Sequence, residues 1–288
     1  MHAITGITGN VGGALARTLL AAGQRVRAVV RDDCKGRSWA EKGCEVALAE
    51  MEDAAALFGA FKEVAGVFIL PPPEFDPAPG FPEARSVITV VKTALEAARP
   101  RKVICLSTIG AQAMQPNLLT QRTLMEQQLR ELAIPVSFLR PGCFMENFAW
   151  DVASARDSGV ITSFLQPLDK PVPMIATADV GRVAAELIQQ NWHERRIVEV
   201  EAAHRISPNE VAATFSKILG HPVRVEAVPR ASWDDLFKSQ GMKNPTPRIQ
   251  MLAGFNEGWI EFERGESGSV KGNITLETVL RGLIERAA

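Results

Sequence analysis

The sequence predicts an α/β fold: a doubly wound parallel sheet with a smaller, mixed α/β unit at the C-terminal end. Three observations carry that expectation. Up to Gly142, short apolar runs alternate with helix-length amphipathic segments. The runs GVFIL and KVICLS are nearly continuous, as strands covered on both faces are. The N-terminal run, Ala3 and Ile4, leads directly into glycines spaced three and three apart, TGITGNVG.

The elements follow in order. Ala3 and Ile4 form a short strand. Residues 11–22 carry helical apolar spacing at Val11, Leu15, Leu19 and Leu20, and Gly23 sits where a helix ends. Residues 25–31 (RVRAVVR) alternate and are β-branched, which predicts a strand, and 44–48 are a third candidate. A helix over 53–61 precedes the strand 66–70, which Pro71, Pro72 and Pro73 stop, because proline extends neither ladder nor helix. A helix over 81–98, a strand over 102–107, a helix over 118–132 and a strand over 136–139 complete the alternation. Right-handed crossovers then give the doubly wound arrangement.

After Gly142 the rhythm changes. Residues 150–168 read as a helix and an extended loop, and 177–190 as a helix opened by Thr177 or Asp179. Residues 197–201 read as a strand that returns to the sheet. The helix over 207–219 starts with Ser207 as cap, Pro208 first and Glu210 three residues after the cap.

Composition excludes several functions. Of 288 residues 46% are hydrophobic and 23% charged, so the chain has enough apolar surface to fold. The net charge of -1 does not suit a protein that coats nucleic acid or anionic membrane. No apolar run is long enough to cross a bilayer, and the start MHAITGITGN has no secretory pattern. The four cysteines form no CxxC pair and read as free thiols of a reducing cytosol, so a cytoplasmic location is expected. Neither they nor the four scattered histidines have metal-ligand spacing, so no metal is expected. There is no GxSxG, which argues against a serine hydrolase.

The glycine turn carries the chemistry. Gly6 permits the tight turn, Gly9 lets backbone approach a pyrophosphate, and Gly12 lets helix and strand pack closely. The helix start presents free amides to an anion. Strand, turn, helix and strand together make this a dinucleotide site of Rossmann type. Residues 1–149, with 177–202 returning to them, are expected to form the NAD(P)-binding domain. Residues 150–176 and 203–288 are expected to form the smaller substrate-binding domain. At the end of the second strand an acidic residue would bind the ribose of NAD, but this strand ends in Arg31, with Lys35 and Arg37 nearby. Arg31 therefore predicts NADP(H), by charge-assisted bonds to a 2′-phosphate, although Asp32 and Asp33 follow it and NAD(H) is the alternative.

TGITGNVG, RVRAVVRD, VFILPPP, KVICLSTIG and FLRPGCFMENF together resemble the NmrA-like proteins. These are atypical short-chain dehydrogenases/reductases that include NADPH quinone reductases, isoflavone-type reductases, azoreductases and redox-sensing regulators. The resemblance runs from Met1 to about Asn147. It implies that Gly6, Thr8, Gly9, Asn10, Val11 and Gly12 cradle the pyrophosphate and that Arg31 sits by the 2′-phosphate. It places Leu70 and Pro71 along the cofactor, and Ser107, Pro141 and Phe144 near the nicotinamide. Where members often carry Asp after the third strand, this chain has Glu50.

Many relatives in the wider superfamily use a Tyr–Lys pair, and this chain has no tyrosine, so that mechanism is excluded; the same absence counts strongly against a third reading, a sugar-nucleotide epimerase. Some NmrA-like reductases keep a lysine in the helix before FMEN; the nearest match is Arg122, the candidate catalytic residue. Arginine is a poor proton donor but stabilises anions, so Arg122 would hold the nicotinamide ribose or steady an oxyanion. The alternative is a helix pair with Glu126, four residues on. A quinone needs positioning more than acid catalysis. The expected function is hydride transfer from NADPH to a small flat acceptor such as a quinone, with a non-catalytic NADP(H)-binding redox sensor as the alternative. The expected partner is thus a small, aromatic or quinone-like molecule. Cys143 reads as a small buried residue or a redox thiol, and Asn147 as a helix cap or substrate contact. Phe255, Trp259 and Phe262 fit one helix face, as core or pocket wall, and residues 242–247 read as a loop that closes over a cleft.

Overall fold

The structure is a computed structural model describing residues 1–287. Its first part runs β1 (His2–Ile4), α1 (Asn10–Ala21), β2 (Val26–Val30), α2 (Asp33–Ala40), β3 (Glu45–Leu48), α3 (Ala54–Phe61), β4 (Gly66–Ile69), α4 (Pro82–Ala98), β5 (Val103–Leu106), α5 (Thr120–Leu129), β6 (Val136–Pro141) and β7 (Cys143–Phe144). Then come α6 (Val152–Ser158), β8 (Val160–Ser163), β9 (Met174–Ile175), α7 (Thr177–Gln189), β10 (Arg196–Glu201), α8 (Pro208–Leu219), β11 (Arg224–Ala227), α9 (Trp233–Ser239), α10 (Thr246–Glu257), β12 (Val270–Lys271) and α11 (Leu276–Arg286). An eight-stranded sheet has the order β12-β10-β6-β5-β4-β1-β2-β3, and its neighbours are parallel throughout. The expected doubly wound Rossmann-type fold is what forms.

Apolar residues fill both faces. On one, Leu15 and Leu19 of α1 pack with Val180, Val183 and Ile188 of α7 against Ile4, Val30 and Phe68. On the other, Leu57, Val91, Leu95, Met125 and Leu129 from α3, α4 and α5 cover Val67, Ile69 and Phe138. The α1–α7 contact depends on Gly181, where a Cβ would lie 2.6 Å from the Ala14 Cβ and 2.7 Å from the Leu15 amide nitrogen. A third core, with Phe215, Phe255, Phe262 and Leu280, lies among the C-terminal elements.

The structure also departs from the sequence reading. Helix α2 was not expected; the Asp32 carboxylate starts it by accepting from the Cys34 amide at 2.7 Å. Residues 150–168 hold the expected helix and extended stretch, but part of that stretch is not loop: α6 stops at Gly159, left-handed at φ 66, and β8 pairs with β11. The two-residue β12 adds a sheet edge that no periodicity announces. Helix α10 ends at Gly258, φ 89, so Trp259 and Phe262 lie beyond it and share no helix face with Phe255. Phe255 and Phe262 are buried core residues. The 242–247 segment is fastened: the Asp76 carboxylate accepts from the Lys243 and Asn244 amides at 2.8 and 2.7 Å. The Asn244 side chain donates to the Pro77 carbonyl at 2.8 Å.

Candidate functional site

Strand β1 pairs with β2 on one side and β4 on the other, and the chain leaves for opposite faces of the sheet there. In open α/β sheets the crevice beyond such strand ends takes ligands. A cleft of about 510 Å³ opens at this point, lined by Thr5, Gly6, Thr8, Gly9, Arg31, Lys35, Glu50, Met51, Leu70 and Pro72, among others. Gly6, Thr8, Gly9, Arg31, Glu50 and Leu70 thus come together. Asn10, Val11 and Gly12 form the first turn of α1 beside them, with the Val11 side chain turned into the core.

Each glycine has a different reason. Gly6 takes φ +62 with Leu70 atoms 3.0 Å from where a Cβ would sit, so the turn itself requires it. At Gly12 a Cβ would lie 2.3 Å from the Gly6 carbonyl oxygen, so close helix–turn packing requires it. At Gly9 the nearest atom is that same oxygen at 3.4 Å, an ordinary contact. The protein's own packing does not require glycine there, and the missing side chain leaves room on the cleft side. No side chain caps α1, so its first amides remain free. This bare, glycine-lined helix start fits a pyrophosphate. Thr5, the first residue of the TGITGNVG turn, braces the floor: its Oγ1 accepts from the Leu70 amide at 2.8 Å and donates to the Phe68 carbonyl at 3.2 Å.

The charges at the end of β2 are sorted. Asp32 is committed to capping α2, and Asp33 pairs with Arg37 at 3.1 Å. Arg37 is thereby drawn away from the cleft wall, which Arg31 and Lys35 line. Neither Arg31 nor Lys35 makes an ion pair among the described residues. Asp53, near Glu50, caps α3 through the Ala56 amide at 2.9 Å, leaving Glu50 and Glu52 as the carboxylates after β3 on the cleft wall.

The other expected residues lie outside this cleft. Buried Pro71 accepts from Arg122 Nη2 at 3.1 Å, and both line a second cleft of about 470 Å³, with Val87, Ile88 and Met125. The two clefts share Glu52, Pro72 and Pro73. The helix pair with Glu126, the alternative reading of Arg122, does not form. Glu126 instead accepts from Arg140 Nη2 and Nε at 2.7 and 2.8 Å, from Arg130 at 3.1 Å and from the Ser107 hydroxyl at 2.5 Å. Burial pushes the Glu126 carboxyl up, but the bonds and charge of Arg140, with Ser107 and Arg130, outweigh it and hold the group below its usual range. Ser107 is therefore occupied by Glu126, within a seam the sequence reading missed.

That seam joins the sheet to the C-terminal elements. Arg140, 1% exposed, also bonds Glu263 at 2.8 Å and lies 3.8 Å from Glu199. Glu199 accepts from the Glu263 and Arg264 amides at 2.7 and 3.1 Å. In the LRPGCFMEN segment, then, the arginine is a structural tie. Pro141 is buried at the end of β6, and Phe144 is half-buried against the first core. Glu146, not Asn147, does the capping: its carboxylate accepts from the Thr177 amide and hydroxyl at the start of α7. Asn147 is exposed. Burial pushes the Cys143 thiol up to about 12, which removes it as a thiolate at neutral pH. No cluster of metal-ligating groups occurs among the described residues, and no described helix is long and apolar enough to cross a membrane.

Comparison with known proteins agrees with this geometry. The model of the NmrA-like family matches residues 2–261. An NAD(P)H azoreductase of Xenophilus azovorans is 28% identical over 84% of this chain and 82% of its own length. Quinone oxidoreductase 2 of Escherichia coli is 26% identical over 88% of this chain and 86% of its own. A solved NADPH complex of an Escherichia coli NADPH-dependent quinone oxidoreductase superposes with TM-score 0.81 at 22% identity, covering 98% of this chain and 99% of that one. With the family match spanning the glycine turn, seven of the eight sheet strands and most of the C-terminal elements, this chain belongs to the NmrA-like family.

Proposed function

We propose that this protein is an NADPH-dependent reductase that passes hydride to a small, flat, conjugated acceptor such as a quinone. The observation that carries the reading is the switch-point cleft, with room at Gly9, free amides on α1 and the unpaired Arg31 and Lys35 on one wall. Gly6, Thr8, Gly9, Asn10, Val11 and Gly12 would hold the pyrophosphate, and Arg31 with Lys35 the 2′-phosphate. Glu50 and Leu70 would flank the adenosine side. Pro71, Pro141 and Phe144 would bound the nicotinamide side, with Ser107 fixed behind them by Glu126. Residues 150–176 and 203–288 would complete the acceptor site. Bound NADPH would supply a hydride.

The named relatives reduce azo compounds and quinones, acceptors whose conjugation favours hydride addition once the rings are aligned. A chain without tyrosine suits such acceptors better than simple ketones. Arg122 remains charged near neutral pH and is the candidate to steady the developing oxyanion from beside Pro71. The second reading, a redox-sensing regulator that binds NADP(H) without turnover, draws on one observation: Arg122 has one guanidinium nitrogen committed to the Pro71 carbonyl.

The test is calorimetric titration with NADPH and NADH, followed by NADPH oxidation over a panel of quinones and azo dyes. NADPH binding with quinone turnover is the expected result. Tight binding with no turnover on any acceptor would leave the sensor reading, and absence of binding would overturn both.

A further inference from the structure

The opposite end of the sheet carries a second concentration of unpaired cations. There the strands begin: His2 opens β1, Lys102 precedes β5, Pro135 precedes β6 and Arg196 opens β10. A cavity of about 610 Å³ lies against these starts and against the turn after α7, lined by Arg101, Lys102, His2, Asn191, Trp192 and His193, among others. No acidic residue lines it.

Lys102 is 9% exposed, which for a lysine requires an explanation. Its ammonium donates to the Gln190 carbonyl and stands 5.5 Å from the centre of the Trp192 ring. The Arg196 guanidinium lies 4.8 Å from the same ring and donates to the Gln190 side-chain oxygen at 3.0 Å. Its Nε is buried without a partner. Burial first, then the charges of Arg196 and Arg101, push the Lys102 ammonium below its usual range. Among the described residues no carboxylate pairs with Arg101, Lys102 or Arg196, and Glu194 in the neighbouring turn is exposed and pairs with none of them. Two other deeply placed arginines do have carboxylates: Arg140 has Glu126 and Glu263, and Arg205 has Glu201 and Glu261; Arg122, like Lys102, has only a backbone carbonyl. Crowded like charges beside an open cavity have a simple complement, an anion.

We propose that this cavity binds a phosphate-type oxyanion, held by Lys102 and Arg101 with the Asn191 amide beside them, as a site separate from the dinucleotide cleft. The ligand is either the free ion or the phosphate of a small monoester. Charge-assisted bonds from two cations would be the main source of affinity.

The test is calorimetric titration with inorganic phosphate at ionic strength held constant with chloride. Saturable binding is expected in the native protein, in protein saturated with NADPH and in Arg31→Ala. In Arg101→Ala, and in Lys102→Met, which keeps the packing against Trp192, affinity should fall about tenfold or more. Arg101 is exposed, so its variant keeps the test decisive if Lys102→Met fails to fold. Competition by glycerol phosphate would identify the monoester as the ligand class, and its absence the free ion. Undiminished binding in Arg101→Ala, loss in Arg31→Ala alone, or no binding beyond chloride would overturn the proposal. Because the Arg31→Ala arm does not depend on NADPH binding, failure here is distinguishable from failure of the reductase reading.

Discussion

Charged side chains meet opposite fates in the Arg140 seam and in the switch-point cleft. In the seam, Arg140, Glu126 and Glu199 are each within 3% exposure and each is bonded to another group. In the cleft, Arg31 and Lys35 are exposed and unpaired, while the neighbouring Asp32 and Asp33 have partners within their own helix. Burial explains the first pattern: a charge out of water must be paired or it costs several kcal/mol. Solvent permits the second, since an exposed cation needs no partner to be stable. Paired charges here hold the fold together; unpaired ones remain available to a ligand.

The largest effect should come from breaking the seam. Arg140→Met would leave Glu126 and Glu199 buried beside an apolar side chain, and should destabilise the protein by about 3–5 kcal/mol in urea unfolding. A change below about 1 kcal/mol would mean that the seam contributes packing rather than pairing, and the contrast between the two regions would fail.

The glycine turn divides the same way. Gly12→Ala places a methyl 2.3 Å from the Gly6 oxygen, and should cost about 1–3 kcal/mol as well as cofactor binding. Gly9→Ala meets nothing closer than 3.4 Å, so its melting temperature should stay near the native value while NADPH affinity falls. Equal losses of stability in both variants would show that Gly9 serves the fold and not a ligand.

Next in size is Arg31→Ala. NADPH affinity should drop about tenfold, about 1.4 kcal/mol, with NADH affinity and thermal stability unchanged. If both cofactors weaken equally, Arg31 acts on the fold or on a group they share. Comparing this variant with Lys35→Ala would divide the contribution between the two cations.

Much of the fold was legible because the signals are local. The GVFIL run with its proline stop, the Ser207–Glu210 capping box and the glycine spacing all act within a few residues. The pyrophosphate half of the candidate site was legible for the same reason, since one turn supplies it. The seam was not. Arg140 meets Glu263 across 123 positions, and no short pattern encodes that encounter. The helical reading of Phe255, Trp259 and Phe262 followed apolar spacing and passed over Gly258, whose left-handed backbone ends the helix between them. Spacing alone offered Glu126 as an alternative partner for Arg122; tertiary competition from Arg140, with two guanidinium bonds to the same carboxylate, removes it.

The smallest predicted effect concerns Asp151, a half-buried carboxyl in the C-terminal part, at the end of the turn that leads into α6. Unlike the carboxylates of the seam it pairs with no cation among the described residues, and burial raises it to about 6. Folding therefore favours its neutral form. In the unfolded chain the group releases its proton near the ordinary aspartate value of 3.8, while the folded protein keeps it until about 6. Between these values the folded state binds more protons, so stability must fall as pH rises through that window and stay lower above it. With partial solvent screening the loss should be about 1 kcal/mol. Asp151→Asn keeps the shape without the titration, so it should flatten this part of the pH–stability curve and be the more stable protein at pH 7. If native protein and variant lose stability in parallel from about pH 4 to 6, Asp151 finds a cation or water that stabilises its charge. The rule drawn from the seam, that burial demands a partner, would then hold here as well.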